Sequence, residues 1–440
     1  MVLQLVLKLK YFIILTKNHK AGIGMNIKKK LYLTIIVLFL GIPAAFFTYL
    51  FIFIIDKISL SVIDYFSNSI LIIFIPALGG LIVGFLLKYG RLTAKGHGVP
   101  LLLSTIKSEK KGLTKSDLRS EGLATTFTVI SGGSVGLVGP IIELTTGITD
   151  IIGRKLKFDL DNYQTLIGGG AAASFSAVFN APFAGVLFSL EVINKDWSIK
   201  NIFFTSVAAF SGYYFINLIK PKYFYFFTNI NIEQNSLNMN QYIYIIAFSF
   251  FMALIGWLFI NVLLLDESLF SKINIPLYLK PMFGGLLVGL IGFFFIEIMG
   301  TSSRLISNSN KLEYGIGLLA ALLFLKIAAT GFSIGSGGSG GLFAPMILTG
   351  LLAGLLAESL CVMVLPGFAI TPAFMALCGV VGIFGGIIKA PITSIILVLE
   401  LFYLPNLVIP LIIAAFVPFI ILNLLKVKSI YSPELFNKQL

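Results

Sequence analysis

Hydropathy along the chain falls into long apolar blocks separated by short polar segments. Leu31 to Ile55 and Ser69 to Lys88 are the first two blocks, each long enough for the roughly 20 residues a helix needs to cross the hydrocarbon core. Six more follow at about 201–219, 241–265, 281–299, 313–330, 346–365 and 404–425. The stretches between several of these blocks are also apolar, but too short or too glycine-rich for a simple span. They predict half-helices and re-entrant segments, so the fold expected is an all-α polytopic membrane protein with broken and tilted helices.

The pattern repeats. Ser134-Val135-Gly136-Leu137-Val138-Gly139-Pro140 is followed 205 positions later by Ser339-Gly340-Gly341-Leu342-Phe343-Ala344-Pro345. Asn180-Ala181-Pro182 with Glu191 nine residues past the proline returns as Lys389-Ala390-Pro391 with Glu400. Landmarks offset by 205 to 209 residues divide the chain into a first transmembrane repeat at 25–222, a connecting loop at 223–240 and a second repeat at 241–440. Paired, helix-breaking segments in the two halves of a membrane protein point to a substrate site between repeats. Residues 1–24 match the rest of the chain poorly, and read as a doubtful leader or a mis-assigned start ahead of Met25.

Composition fits this reading: 57% of residues are apolar and 12% charged, with a mean hydropathy of +0.98. The net charge of +13 does not imply a nucleic-acid partner, because the basic residues gather in short loops. Lys28, Lys29 and Lys30 precede the first span. Lys107, Lys110, Lys111, Lys115 and Arg119 follow the second, and Arg154, Lys155 and Lys157 form a third group. By the positive-inside rule these sites are cytoplasmic. The expected location is a prokaryotic plasma membrane, spanned many times, with both termini cytoplasmic. Cys361 and Cys378 lie in apolar surroundings without metal-ligand spacing, so no metal site is expected. No catalytic constellation is present, and the chain does not read as an enzyme.

A helix amino terminus exposes unpaired N–H groups and about half a positive charge. Helices that start just after Gly136–Pro140 and Gly341–Pro345 therefore offer an anion partial charges. Neither motif contains Lys or Arg, which favours passage over retention. The competing reading is that these glycines only let helices pack closely.

Taken in order, Gly96-His97-Gly98-Val99-Pro100, Gly136-Leu137-Val138-Gly139-Pro140, Gly341-Leu342-Phe343-Ala344-Pro345 and Tyr431 in Lys428-Ser429-Ile430-Tyr431-Ser432-Pro433 resemble the three anion-site signatures and the pore tyrosine of the CLC family of chloride channels and chloride/proton exchangers. The likeness covers about residues 30 to 440. It implies about eighteen helical segments in two inverted halves, and a homodimer with one pore per subunit. The dimer surface would map to segments near 182–219 and 391–423. The implied anion-binding residues are Gly96, His97, Gly98, Val99, Gly136, Leu137, Val138, Gly139, Gly341, Leu342, Phe343, Ala344 and Tyr431. Chloride is the implied bound ion, with similar small anions as alternatives and no cofactor. The sequence runs nine residues past Tyr431, and the cytoplasmic nucleotide-binding (CBS) modules of many relatives are not expected.

Departures from the family pattern bear on mechanism. Where the resemblance places a gating and proton-accepting Glu, the chain has Val138. The inner proton-relay position is Val192. Valine can neither carry a proton nor compete as an anion, so the expected function is a passive, chloride-selective channel without obligatory proton exchange. Two alternatives stay open: a chloride/proton exchanger using another acid, Glu143 or Glu191, and an uncoupled transporter of another halide. Glu191 has its counterpart in Glu400, which favours a structural helix-end role. His97 stands where the family usually has Ser or Pro. Its ring could touch the anion, adding charge when protonated, or could turn away and leave the contact to the backbone. Glu121 falls where one bacterial type has Lys near the pore. Tyr431 has a second reading as a membrane-interface anchor. A narrow constriction between His97 and Tyr431 is expected to keep turnover low.

Overall fold

The computed structural model describes residues 27–89, 99, 103, 112–220, 237–301, 303, 305, 314–364, 370–403 and 405–432. The doubtful leader at 1–24, Gly96, His97, Gly98 and most of the 223–240 loop lie outside the described residues.

The first half opens with α1 (Ile27–Phe39) and α2 (Gly41–Thr48), which continue through a π-helical stretch, Tyr49–Ile55, into α3 (Asp56–Phe66). A short 3₁₀ turn, Ile70–Ile73, leads into α4 (Phe74–Tyr89). Then come α5 (Lys115–Ile130), α6 (Val138–Lys155), α7 (Leu160–Phe179), α8 (Pro182–Phe188) with its π extension Ser189–Asn194, and α9 (Ile199–Ile219). The second half holds α10 (Met239–Lys272), α11 (Lys280–Phe294), α12 (Ile316–Gly335), α13 (Phe343–Val364), α14 (Pro372–Ile388), α15 (Pro391–Phe402) and α16 (Val408–Leu424).

Among the described residues, eight helical stretches are long and apolar enough to cross a membrane, and they fall on the eight blocks expected from hydropathy. Their ends differ from the hydropathy boundaries. The first runs on to Phe66 and the fourth reaches Lys272. Hydropathy marks where side chains stop being apolar, whereas helical hydrogen bonds continue through polar residues such as Asp266 and Glu267. The fourth span starts sharply, because Asn238 and Gln241 form a reciprocal capping box. The block expected at 281–299 stops as a helix at Phe294 and ends in a 3₁₀ turn, Ile296–Ile298, before Gly300 at φ +60°.

Among the described residues, three of the contacts between the two inverted halves pair an element with its own counterpart. At the first, α4 lies on α11. A Cβ on Gly80 would come within 2.1 Å of Pro281 O, and one on Gly285 within 2.1 Å of Pro76 O; Gly80 and Gly285, like Pro76 and Pro281, are related by the 205-residue offset. At the second, α8 lies on α15. Glu191 accepts hydrogen bonds from the N–H groups of Ile392 (3.2 Å) and Thr393 (2.7 Å). Glu400 accepts them from Phe183 (3.1 Å) and Ala184 (2.9 Å). Each carboxylate thus caps the first turn of the other half's helix, where the N–H groups have no intrahelical partner. The third meeting place is the pair of glycine-rich motifs. Three self-pairs define one pseudo-two-fold axis through the molecule.

Four helices lie at the centre. The first ten residues of α6, Val138–Gly147, and the first fifteen of α13, Phe343–Ala357, are all buried. So is all of α14 from Phe374 onward and all of α7 from Thr165 onward. This enclosure explains why α6, α7 and α14, which lie between the eight spans, are apolar without reading as ordinary lipid-facing spans.

Candidate anion site

The two motifs join directly. Gly136 N–H donates to Gly341 O at 2.6 Å, and Gly341 N–H to Gly136 O at 2.7 Å, an antiparallel bridge between equivalent residues. Glycine is required by the approach itself. A Cβ on Gly341 would sit 2.8 Å from Gly139 N, and one on Gly340 would sit 2.4 Å from Val135 Cγ2. Val135 and Gly340 are counterparts. Across the axis the two positions compete for one space, so only one of them carries a side chain.

A ring of hydroxyl groups fixes both loops. Ser134 N–H donates to Ser333 Oγ (3.0 Å) and Ser339 N–H to Thr128 Oγ1 (3.3 Å). Ser134 Oγ pairs with Thr330 Oγ1 (3.2 Å) and Ser339 Oγ with Thr125 Oγ1 (2.9 Å). All three residue pairs, Thr125/Thr330, Thr128/Ser333 and Ser134/Ser339, again differ by 205. The loops turn through Gly132 (φ +89°) and Gly337 (φ +101°), a backbone region that favours glycine. Motif matching alone does not find this hydroxyl ring; aligning the halves on Gly136 and Gly341 would have revealed it.

Helices α6 and α13 begin inside the motifs, at Val138 and Phe343, not after the prolines as the sequence pattern suggests. Pro140 and Pro345 occupy the third helical position. A proline is tolerated in the first turn because its missing N–H would have had no intrahelical partner. The first helical bonds are Ile141 N–H to Leu137 O and Met346 N–H to Leu342 O. Leu137, the residue before α6, offers no capping side chain. The N–H groups at Val138–Gly139 and Phe343–Ala344 therefore precede both helical ladders, side by side across the Gly136–Gly341 bridge.

Val138 and Phe343 are themselves counterparts, and both are fully buried. The Phe343 ring sits in an aromatic cage with Phe175, Phe179, Phe188, Phe384 and Tyr431, at centroid distances of 5.4 to 6.3 Å. Tyr431 is only 3% exposed, an enclosed position and not that of an interfacial anchor. Ile430 N–H donates to Ile387 O, and Ser429 Oγ to Ile388 O. These bonds hold the carboxyl-terminal segment against the end of α14. The Tyr431 hydroxyl is buried without a hydrogen-bond partner among the described residues, a costly arrangement unless something else accepts its proton. A small anion entering this enclosure would meet that hydroxyl.

Of the sequence-derived site residues, Gly136, Leu137, Val138, Gly139, Gly341, Leu342, Phe343, Ala344 and Tyr431 come together here. Val99 is buried. Val192 lies buried in the π extension of α8. Glu143 is buried on α6, five residues past Val138, and Glu121 is buried on α5. Among the described residues, no cluster of His, Cys, Asp or Glu could hold a metal ion.

The fold is that of a multi-pass membrane protein with two inverted halves whose broken helices meet at the centre. Residues 79–423 match the family model described as voltage gated chloride channel, and the chain belongs to that family, the CLC proteins. It is 29% identical to an uncharacterized protein of Methanocaldococcus jannaschii over 308 residues, 68% of this chain and 74% of the relative. It is also 29% identical to the H(+)/Cl(-) exchange transporter ClcA of Vibrio cholerae over 322 residues, 69% of this chain and 65% of ClcA. Among solved structures, a slow cyanobacterial Cl-/H+ antiporter superposes with a TM-score of 0.80 at 18% identity, covering 94% of this chain and all of the other. That likeness establishes the shared fold.

Proposed function

We propose that the protein is a passive chloride pathway, driven by voltage and gradient, in which anion passage is not coupled to proton exchange. The observation that carries the reading is the pair of helix amino termini, α6 and α13, joined at Gly136 and Gly341 beside the buried hydroxyl of Tyr431, which has no partner among the described residues. Partial charges without Lys or Arg hold an anion loosely enough to release it. Val138 and Val192, both buried and apolar, supply no proton acceptor. Glu191 is occupied as the cap of α15. Chloride serves as the bound ion, and no cofactor takes part.

A second reading is a chloride/proton exchanger with an unusual acceptor. Two observations favour it: Glu143 is buried on the helix that forms half of the site, and ClcA is named as an exchanger. The protein acts in this proposal as a homodimer with one pore per subunit. Exposed apolar side chains on α8, α9, α15 and α16, among them Phe183, Phe210, Ile392 and Ile409, form the joint. It resides in a prokaryotic plasma membrane, with Arg154 and Lys155 on the cytoplasmic side.

The test is efflux from chloride-loaded liposomes with a potassium ionophore clamping the voltage. Efflux that is blocked when chloride is replaced by a large organic anion supports the pathway. Absent efflux of chloride, bromide and nitrate overturns it. Val138→Glu restores a carboxylate at the mouth of the site and is expected to slow chloride efflux near neutral pH.

A further inference from the structure

The two halves place opposite charges at one equivalent position. Glu121 on α5 and Lys326 on α12 are related by the 205-residue offset, and both are buried. Lys326 Nζ donates to Ile298 O (2.9 Å) and Gly300 O (3.4 Å), a carbonyl nest outside the motif loops. Glu121 instead reaches the motif itself. Its Oε1 accepts a 2.5 Å hydrogen bond from Ser339 Oγ, and Ser339 opens the loop whose Gly341 pairs with Gly136.

A buried carboxylate therefore lies one hydrogen bond from the loop that presents the α13 amino terminus. Among the described residues it has no ion-pair partner. The elements packed against α5 are the π stretch, α3, α4 and α6, and their charged groups are otherwise placed. On α3, Asp56 accepts from Thr301 Oγ1, while Lys57 and Asp64 are exposed. Lys88 on α4 lies over the Tyr278 ring. On α6, Asp150 pairs with Arg154 and Lys155 is exposed. Glu143 remains as the other buried acid on a helix facing α5; Gly122 and Leu144, next to the two acids, lie in contact distance.

We propose that Glu121 is a proton-operated electrostatic brake on the anion path. Ionised, it repels an anion held at the α6 and α13 amino termini. Protonated, it donates to Ser339 Oγ, keeps the loop in place and removes the repulsion. The proton comes from bulk water and returns to it, and only the carboxyl O–H bond is made or broken. The proposal rests on the anion-pathway reading above.

The experiment measures chloride efflux between about pH 8 and about pH 3.5, a range that crosses the ordinary Glu value of roughly 4.3. It uses the wild-type protein, Glu121→Gln, Glu143→Gln and His97→Asn. Wild-type efflux is expected to rise about tenfold in acid, the order of effect of one unit charge removed from a site of intermediate dielectric. Glu121→Gln should show the acid-level rate at every pH. Glu143→Gln should keep the wild-type slope, and a flat profile in Glu143→Gln or His97→Asn would assign the titration to that group and overturn the proposal. A wild-type profile that is flat or falls in acid overturns the proposal, as does a Glu121→Gln profile with the wild-type slope. Chloride binding by calorimetry at the same pH values reads the same repulsion without transport. Binding that tightens in acid for wild type but not for Glu121→Gln supports the brake even if efflux is absent, an outcome that would sink only the pathway reading. Binding that is flat with pH in wild type overturns the brake.

Discussion

Tyr431 and Gly341 carry the sharpest consequences among single residues. The Tyr431 hydroxyl has no protein acceptor among the described residues, so its removal relieves an unsatisfied group in the empty protein and deletes an anion contact in the loaded one. Tyr431→Phe should leave thermal stability in chloride-free detergent unchanged or slightly raised, and should weaken chloride binding about tenfold, the worth of one charge-assisted hydrogen bond. Calorimetric titration checks the second part; equal affinity in the two proteins would remove Tyr431 from the site. Gly341→Ala places a methyl group 2.8 Å from Gly139 N, between the two helix starts. It should lower chloride flux and cost about 1–3 kcal/mol of stability through overpacking, both measurable on one purified sample. Much of this was legible in the sequence, because the Gly and Pro of each motif stand out from an apolar background. The pairing of Val135 with Gly340 was not. It depends on a collision across an axis, which a linear pattern does not display.

At the scale of helices, the molecule is organised by their amino termini. Those of α8 and α15 are capped reciprocally by Glu400 and Glu191, whereas Leu137, the residue before α6, offers no capping side chain. An enclosed helix amino terminus without a carboxylate cap suits an anion, which is what the proposed pathway requires of α6. Glu191→Gln and Glu400→Gln should each destabilise the protein by about 1 kcal/mol, the ordinary worth of a helix cap. The two effects should be similar in size, because the sites are counterparts. Thermal denaturation in detergent measures both. Glu191→Gln should leave ion selectivity and proton movement unaltered; a change in proton flux would return Glu191 to the set of relay acids. Hydropathy located all eight spans, because lipid contact demands apolar length. It misjudged the start of α6 and α13, since a proline in the first turn looks in sequence like a break and in structure is an allowed helical residue. It also missed the length of α10, which continues past its apolar stretch as an ordinary hydrogen-bonded helix.

For the whole molecule, one pseudo-two-fold axis relates three self-pairs, α4 with α11, α8 with α15, and Gly136 with Gly341. The axis makes the backbone of the site nearly symmetric, so its asymmetry comes from side chains: Val138 against Phe343, and Glu121 against Lys326. Two identical halves would present the anion with equivalent surroundings from either face. In the proposed pathway, the Glu121 and Lys326 difference places a carboxylate on one side only, one hydrogen bond from the α13 loop. In the proposed homodimer, α8, α9, α15 and α16 form the joint. Cross-linking of a single cysteine introduced at Phe183 should trap a dimer in native membranes, and exclusive recovery of monomer would contradict it.

The central claim is that anion movement is uncoupled from protons because Val138 and Val192 stand where acids would be needed. Its most direct test is the reversal potential of the purified protein in a planar bilayer with a fixed chloride gradient, measured with and without a superimposed pH gradient. The account predicts that the reversal potential follows the chloride gradient alone and does not move when the pH gradient is added. A shift toward the proton equilibrium potential would contradict it, and would make Glu143 the first acid to replace.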